Sequence, residues 1–128
     1  MLSGKLTRLS GRIHAMTPQL AVVQGQSMEP TLVEGAWVLV SLVPPGGPRL
    51  GQLVVLEHPH RAGFELIKRV SAVSRERRLI WVAGDNLGAS TDSDDFGPVP
   101  QALVRGVVRA RVRPLPWRWL GSDPGQLL

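Results

Sequence analysis

Residues 65–73 read ELIKRVSAV, and their alternation sets the character of the chain. Extended, the stretch places Leu66, Lys68, Val70 and Ala72 on one face and Glu65, Ile67, Arg69 and Ser71 on the other. Lys68 therefore stands on the more apolar face. It is also an unusual residue here, because Lys5 and Lys68 are the only lysines among 15 basic side chains and arginine supplies the rest. Arginine keeps its proton in a protein, whereas a lysine taken out of water can give its proton up and act as a base. The ordinary reading of such a lysine is a stem lying on apolar surface with its amine reaching solvent.

Working outward, further β signals flank this strand: LAVV from Leu20, WVLVS from Trp37, QLVVLEH from Gln52, LIWVA from Leu79 and LVRGVVRARV from Leu103. Breaker-rich joints separate them: PPGGPRLG at 44–51, HPHRAG at 58–63 and GDNLGASTDSDDFGPVP at 84–100. Six or so short strands at this spacing predict a mainly β protein, a small folded antiparallel sheet or partly open barrel. In residues 1–16, Leu2, Leu6, Leu9 and Ile13 fall on one helical stripe, which predicts a short amphipathic helix packed on its own domain or lying on a membrane surface. Residues 17–116 are expected to form a single β-rich domain. Residues 117–128, rich in Pro and Gly, read as a flexible tail whose Trp117 and Trp119 suit a membrane interface.

Composition narrows the chemistry. The 128-residue chain has no cysteine, which excludes disulfides, thiol nucleophiles and thiolate metal sites. A net charge of +5 favours anionic partners. Two Phe, four Trp and no Tyr leave few rings for base stacking, so no nucleic-acid partner is expected. Arg105, Arg109, Arg111 and Arg113 are spaced largely by twos and read as one solvated face. No apolar run approaches the roughly 18 residues of a membrane span. The expected location is accordingly cytoplasmic, with peripheral membrane contact through residues 1–16 or Trp117 and Trp119 as the alternative.

The chemistry concentrates in GQSMEPTL, residues 25–32. Ser27 follows a strand and a glycine, and Pro30 biases Glu29 towards extended or turn geometry, so the serine is displayed on a tight bend. A serine hydroxyl becomes a nucleophile only beside a base. His58 and His60 flank a proline in an expected hairpin turn, and His14 lies in the N-terminal stretch, so none is well placed. HPH alone is a weak metal signal, and neither a metal nor a cofactor is expected. Lys68 remains as the partner, since a serine and a desolvated lysine form a working nucleophile and base pair.

Four stretches in order, GQSMEPTL, GQLVVLEHP, ELIKRV and GDNLGASTDSDDFGPVP, resemble the successive boxes of the signal peptidase I family of serine proteases. They lie between Gly25 and Pro100. The phrases HPHRAG and GDN…FGPVP are most similar to the small members that mature nickel-type superoxide dismutase. The resemblance implies a signal peptidase-type fold, Ser27 as nucleophile and Lys68 as general base. It implies that Ser90 helps orient the lysine amine and that Asp92 is a structural acid, with Gly25 and Met28 beside the oxyanion site. Met28, Pro30 and Leu66 are expected along the path of the bound peptide. Asp85 and Asn86 read as loop-stabilising residues. Two departures stand out: Asp94 replaces the arginine that often follows the Asp-Ser of this box, and Gly25 replaces a serine that supplies an oxyanion-hole hydroxyl in some relatives.

The implied reaction is acyl transfer. Neutral Lys68 takes the Ser27 proton as the oxygen attacks a peptide carbonyl, and the same amine later activates water. The expected partner is a precursor polypeptide, specifically a nickel-type superoxide dismutase precursor, bound as an added β-strand. Two other readings stand beside it. A self-cleaving Ser-Lys regulator would share the dyad but is expected to carry a DNA-binding domain upstream. A non-enzymatic basic β-barrel binding RNA or protein would show strong salt-dependent association.

Overall fold

The computed structural model describes residues 5–8, 19–86, 88 and 96–120. Among these residues nine strands run: β1 (Lys5–Arg8), β2 (Gln19–Gln24), β3 (Trp37–Ser41), β4 (Leu53–Glu57), β5 (Glu65–Ser74), β6 (Leu79–Ala83), β7 (Val99–Pro100), β8 (Val104–Arg113) and β9 (Arg118–Trp119). A single turn of 3₁₀ helix over Gln101–Leu103 joins β7 to β8. All pairings are antiparallel, in the order β1-β2-β3-β8-β4-β5-β6-β7, with β9 added to β8. β1 also comes close to β5, so the sheet curls back on itself. This is the folded, partly open antiparallel sheet that the strand spacing predicts.

The six expected strands each appear within a residue or two of their apolar runs. β4 explains why the sheet must fold: LVVLE has no alternation, and Leu53 through Leu56 are all buried. Leu53 and Val55 enter one core with Ala21, Met28, Leu32, Val38 and Ile67. Val54 and Leu56 enter a second with Leu66, Val70, Ile80, Val82 and Val107. The strand therefore has apolar side chains closed over on both faces. β5 is ten residues long because its halves serve different neighbours. Glu65 to Arg69 pair with β4, Arg69 to Ser74 pair with β6, and the register shifts between Val70 and Ala72. Beyond that bulge Ser71 and Ala72 are exposed.

Two terminal expectations change. Lys5–Arg8, inside the stretch read as a helix, is strand, pairing Lys5 with Gln24 through Arg8 with Ala21. The apolar edge of β2 offers an open row of backbone groups, and pairing satisfies them in a way that a four-residue turn of helix could not. The rest of residues 1–16 lies outside the described residues. Arg118 and Trp119, placed in a flexible tail, instead pair with Arg111 and Ala110. β4 pairs β8 only as far as Val108, so the remaining edge of the long strand is free, and β9 covers it. Leu120 then packs against the first core.

Candidate active site

The bend carrying Ser27 follows β2 directly. Gly25 has φ +86°, a left-handed conformation that side chains rarely adopt, and its N–H donates to Glu34 Oε2 at 3.2 Å. A serine there would be strained, which accounts for the glycine at the first departure from the family pattern. The bend closes through Glu29 N–H to Gln26 O at 3.2 Å and Leu32 N–H to Met28 O at 2.8 Å. Met28 and Leu32 anchor it by inserting fully into the first core.

Ser27 is 0 % exposed, and its Oγ has no hydrogen-bond partner. Buried hydroxyls are nearly always paired, so an orphan of this kind calls for an explanation at a functional position. Lys68 is also 0 % exposed, on the face it shares with Leu66 and Val70 of the second core. The burial expected from the alternation is thus present, and it is deeper than the snorkelling alternative allows. In this conformation Lys68 does not hydrogen-bond Ser27 Oγ. Catalytic contacts commonly tighten only when substrate binds.

A polar joint fastens the elements that bear these two residues. Arg69, next to Lys68, donates from Nε and Nη2 to the two Asp85 oxygens at 2.9 and 2.8 Å, and from Nη1 to Gly51 O at 2.8 Å. Thr31 Oγ1, in the Ser27 bend, donates to the same carboxylate. Asn86 completes the joint, with its backbone N–H on Ser27 O at 2.8 Å and its side-chain amide on Gln26 O at 3.0 Å. Burial would raise the Asp85 pKa, but the hydrogen bonds from Arg69 and Thr31 and the adjacent positive charge outweigh it and hold the carboxyl below its ordinary value. The same bond to Asp85 raises the Arg69 pKa.

The loop-stabilising role read for Asp85 and Asn86 therefore has a specific form: they tie the strand of Lys68 to the bend of Ser27. Arg69 escaped the sequence reading. Its adjacency to Lys68 and its alternation onto the opposite face were the available signals. Of the residues expected along the peptide path, Pro30 is exposed, whereas Met28 and Leu66 are closed within the cores. Ser90, Asp92, Asp94 and His14 lie outside the described residues.

The two described histidines do not reach the serine, whose Oγ is unpartnered. His58 and His60 occupy the β4–β5 hairpin, where His58 accepts from His60 N–H at 3.0 Å and its ring lies 4.9 Å from that of Phe96. Among the described residues no group of three or more His, Cys, Asp or Glu could hold a metal. The arginines of β8 are largely engaged within the fold: Arg105 pairs with Glu57, Arg109 donates to Ser41 Oγ at 2.7 Å, Arg111 to Pro116 O at 3.0 Å, and Arg113 lies 5.3 Å from the Trp37 ring centroid.

Comparison with known proteins accords with this arrangement. The chain is 31% identical to mitochondrial inner membrane protease subunit 1 of Schizosaccharomyces pombe, over 87% of this chain and 83% of the relative. It is 28% identical to the human subunit 1, over 75% and 70%, and 31% identical to subunit 2 of Saccharomyces cerevisiae, over 81% and 72%. These relatives are named proteases of the mitochondrial inner membrane, not dismutase maturation proteases. They overturn the expected cytoplasmic location and point to membrane association, although no helix among the described residues is long and apolar enough to cross a bilayer. The sequence model of the family described as signal peptidase, peptidase S26, matches residues 9–77, more than half of the chain; the chain belongs to that family.

Proposed function

We propose that this protein is a serine endopeptidase that removes a leader from a precursor polypeptide, with Ser27 as nucleophile and Lys68 as general base. The observation that carries the reading is the pair of fully buried groups, an orphan hydroxyl and a lysine amine, on elements fastened by the Arg69–Asp85–Asn86 joint. Removal from water favours the neutral amine, the form able to accept a proton. Substrate binding brings Lys68 Nζ onto Ser27 Oγ. The amine takes the hydroxyl proton as the oxygen attacks the scissile carbonyl, and returns it to the leaving amine as the acyl-enzyme forms. Water then enters and gives a proton to the Lys68 amine as its oxygen attacks the acyl carbonyl, and the amine passes that proton to Ser27 Oγ as the acyl group leaves as a carboxyl product. The Ser27 N–H is the backbone donor for the oxyanion, since the N–H of Gly25 is already taken by Glu34.

Membrane association has a physical counterpart in the β8–β9 hairpin. Leu115, Trp117 and Trp119 are 66 %, 53 % and 63 % exposed, with the exposed Arg113 and Arg118 beside them. Tryptophan flanked by arginine suits the headgroup boundary of a bilayer. A leader held near that surface would be presented to the site.

The finer substrate, a nickel-type superoxide dismutase precursor, rests on the resemblance of HPHRAG and GDN…FGPVP alone. The experiment offers that precursor and a membrane-anchored precursor with a small-residue junction in parallel, and reads the new amino termini by mass spectrometry. The parent is expected to cut at one defined bond, and Ser27→Ala and Lys68→Ala to cut at none while melting as folded proteins. Cleavage by either variant at the parent rate would overturn the mechanism.

A further inference from the structure

A second concavity lies away from Ser27 and Lys68, where the β3–β4 loop meets the β5–β6 turn. Its volume is about 940 Å³, and it is lined by Val43, Leu79 and Val104 with prolines of the β3–β4 loop, and by Arg75, Arg77 and Arg78. About seven strand residues separate Lys68 from Arg75, roughly 23 Å along β5. All three arginines are exposed, and none pairs with a carboxylate among the described residues. Among the described residues their guanidinium groups have no acceptor, unlike those of Arg105, Arg109 and Arg111 in β8.

The turn fixes the backbone that carries these arginines. Arg78 sits at φ +55°, the one described residue other than glycine with a positive φ. Arginine gains nothing locally from that conformation, which glycine or asparagine would adopt more cheaply. The turn is locked by Arg78 N–H to Arg75 O at 3.3 Å and by Gln101 N–H to Arg78 O at 2.9 Å. On the facing wall, Gly47 has φ +91°, and a Cβ there would stand 2.7 Å from Gln101 Oε1, so the glycine lets the two walls approach.

Size, lining and position select the occupant. A phosphate group would fill a small part of 940 Å³ and leave the apolar floor uncovered. A lipid surface fits poorly as well. Val104, in the groove, and Ala110, which pairs with Trp119, are six residues apart on β8, so the tryptophans and the groove stand about 20 Å apart along that strand. With the tryptophans at a bilayer, the groove faces the aqueous side. We propose that it docks an extended acidic segment of a partner protein, whose carboxylates meet Arg75, Arg77 and Arg78 and whose apolar side chains cover Val43, Leu79 and Val104. The inference stands independently of the protease reading.

The test uses the full chain and a fluorescein-labelled peptide, Glu-Val-Glu-Pro-Leu-Glu-Val-Glu, followed by anisotropy. Saturable binding that weakens with salt is expected, and a control peptide with Gln for every Glu should bind at least about tenfold more weakly. The R75Q/R77Q/R78Q variant should lose at least about tenfold in affinity, each single substitution less, and R118Q at the opposite end nothing. Cleavage of a short leader peptide should be unchanged in all five. The R75Q and R77Q single variants leave Arg78 and its backbone bonds in place, so their weakened binding reports charge even if the triple variant melts early. Equal binding of the Gln peptide, or unaltered affinity in the folded triple variant, would overturn the proposal. So would arginine-dependent binding of inorganic phosphate or phosphatidylglycerol vesicles where the acidic peptide does not bind, since the occupant would then be an anion or a lipid.

Discussion

Arg69 grips Asp85 through both arms of its guanidinium, at 2.9 and 2.8 Å. The bond joins the neighbour of Lys68 to the neighbour of Asn86, which in turn holds the backbone on either side of the Gln26–Ser27 peptide. Truncating this pair should loosen the setting of the reacting groups more than it loosens the fold. Asp85→Asn is expected to lower kcat by about tenfold or more while KM moves little, and to cost about 1–2 kcal/mol of stability because Arg69 is still one-third exposed. Arg69→Lys should rescue neither quantity, since an ammonium cannot make the two-armed contact. Steady-state kinetics with a fluorogenic leader peptide, alongside urea melts, would check both.

Acid should expose the same joint. The Asp85 and Glu57 carboxyls are both held below their ordinary values, the second chiefly by the hydrogen bond from Arg105. The folded state thus binds fewer protons than the unfolded chain as pH falls past the ordinary carboxylate value of about 4. Their stabilisation is fully present above that value and is lost as pH drops through the folded-state pKa values. Melting temperature measured from pH 6 downward should fall below about pH 4, and less steeply in Asp85→Asn.

Lys68 offers a cleaner separation of burial from charge. Lys68→Arg should be inactive, because a guanidinium cannot surrender its proton and is bulkier than the site it enters. Lys68→Met should be equally inactive and should melt no lower than the parent, since a thioether chain of similar length fills the site without a polar head to desolvate. A pH–rate profile of the parent should rise with pH through one ionisation, that of the amine that must be neutral to accept the proton.

Gly106 tests the packing that supports the site. A Cβ at this position would lie 2.6 Å from Val40 Cγ1 and 2.8 Å from Ser41 O. Backbone cannot move aside as the end of a side chain can. Gly106→Ala should therefore cost about 2 kcal/mol or more, visible as a lower urea midpoint with an unchanged slope.

Trp117 and Trp119 should decide membrane affinity. Replacing both with serine is expected to reduce binding to anionic vesicles in flotation assays by at least about tenfold. Cleavage of a soluble peptide should stay as it was, because neither ring contributes to the Ser27 bend.

The extent to which sequence foretold structure follows from the strength of each local signal. WVLVS, LVVLE and LIWVA are apolar enough that tertiary packing and β propensity agree, and their strands lie where the runs lie. Lys68 was legible because an alternating pattern predicts a face. KLTR and RW were not, since their strand character comes from the open edges of β2 and β8, which no short window of sequence displays. The bond of Arg69 to Asp85 spans sixteen positions. The two residue types are complementary, but only the fold of the sheet brings them together.

The Asn86 clamp has a further consequence for how the enzyme matures. Ser27 is made before the groups that hold its peptide, which stand about sixty positions further on, and the pairing that steadies β6 comes later still, from β7. A growing chain therefore carries the proposed nucleophile on an unformed bend until the residues through Asn86 have been made. Long-range closure of this kind is slow to form, so the setting of Ser27 is expected late in folding.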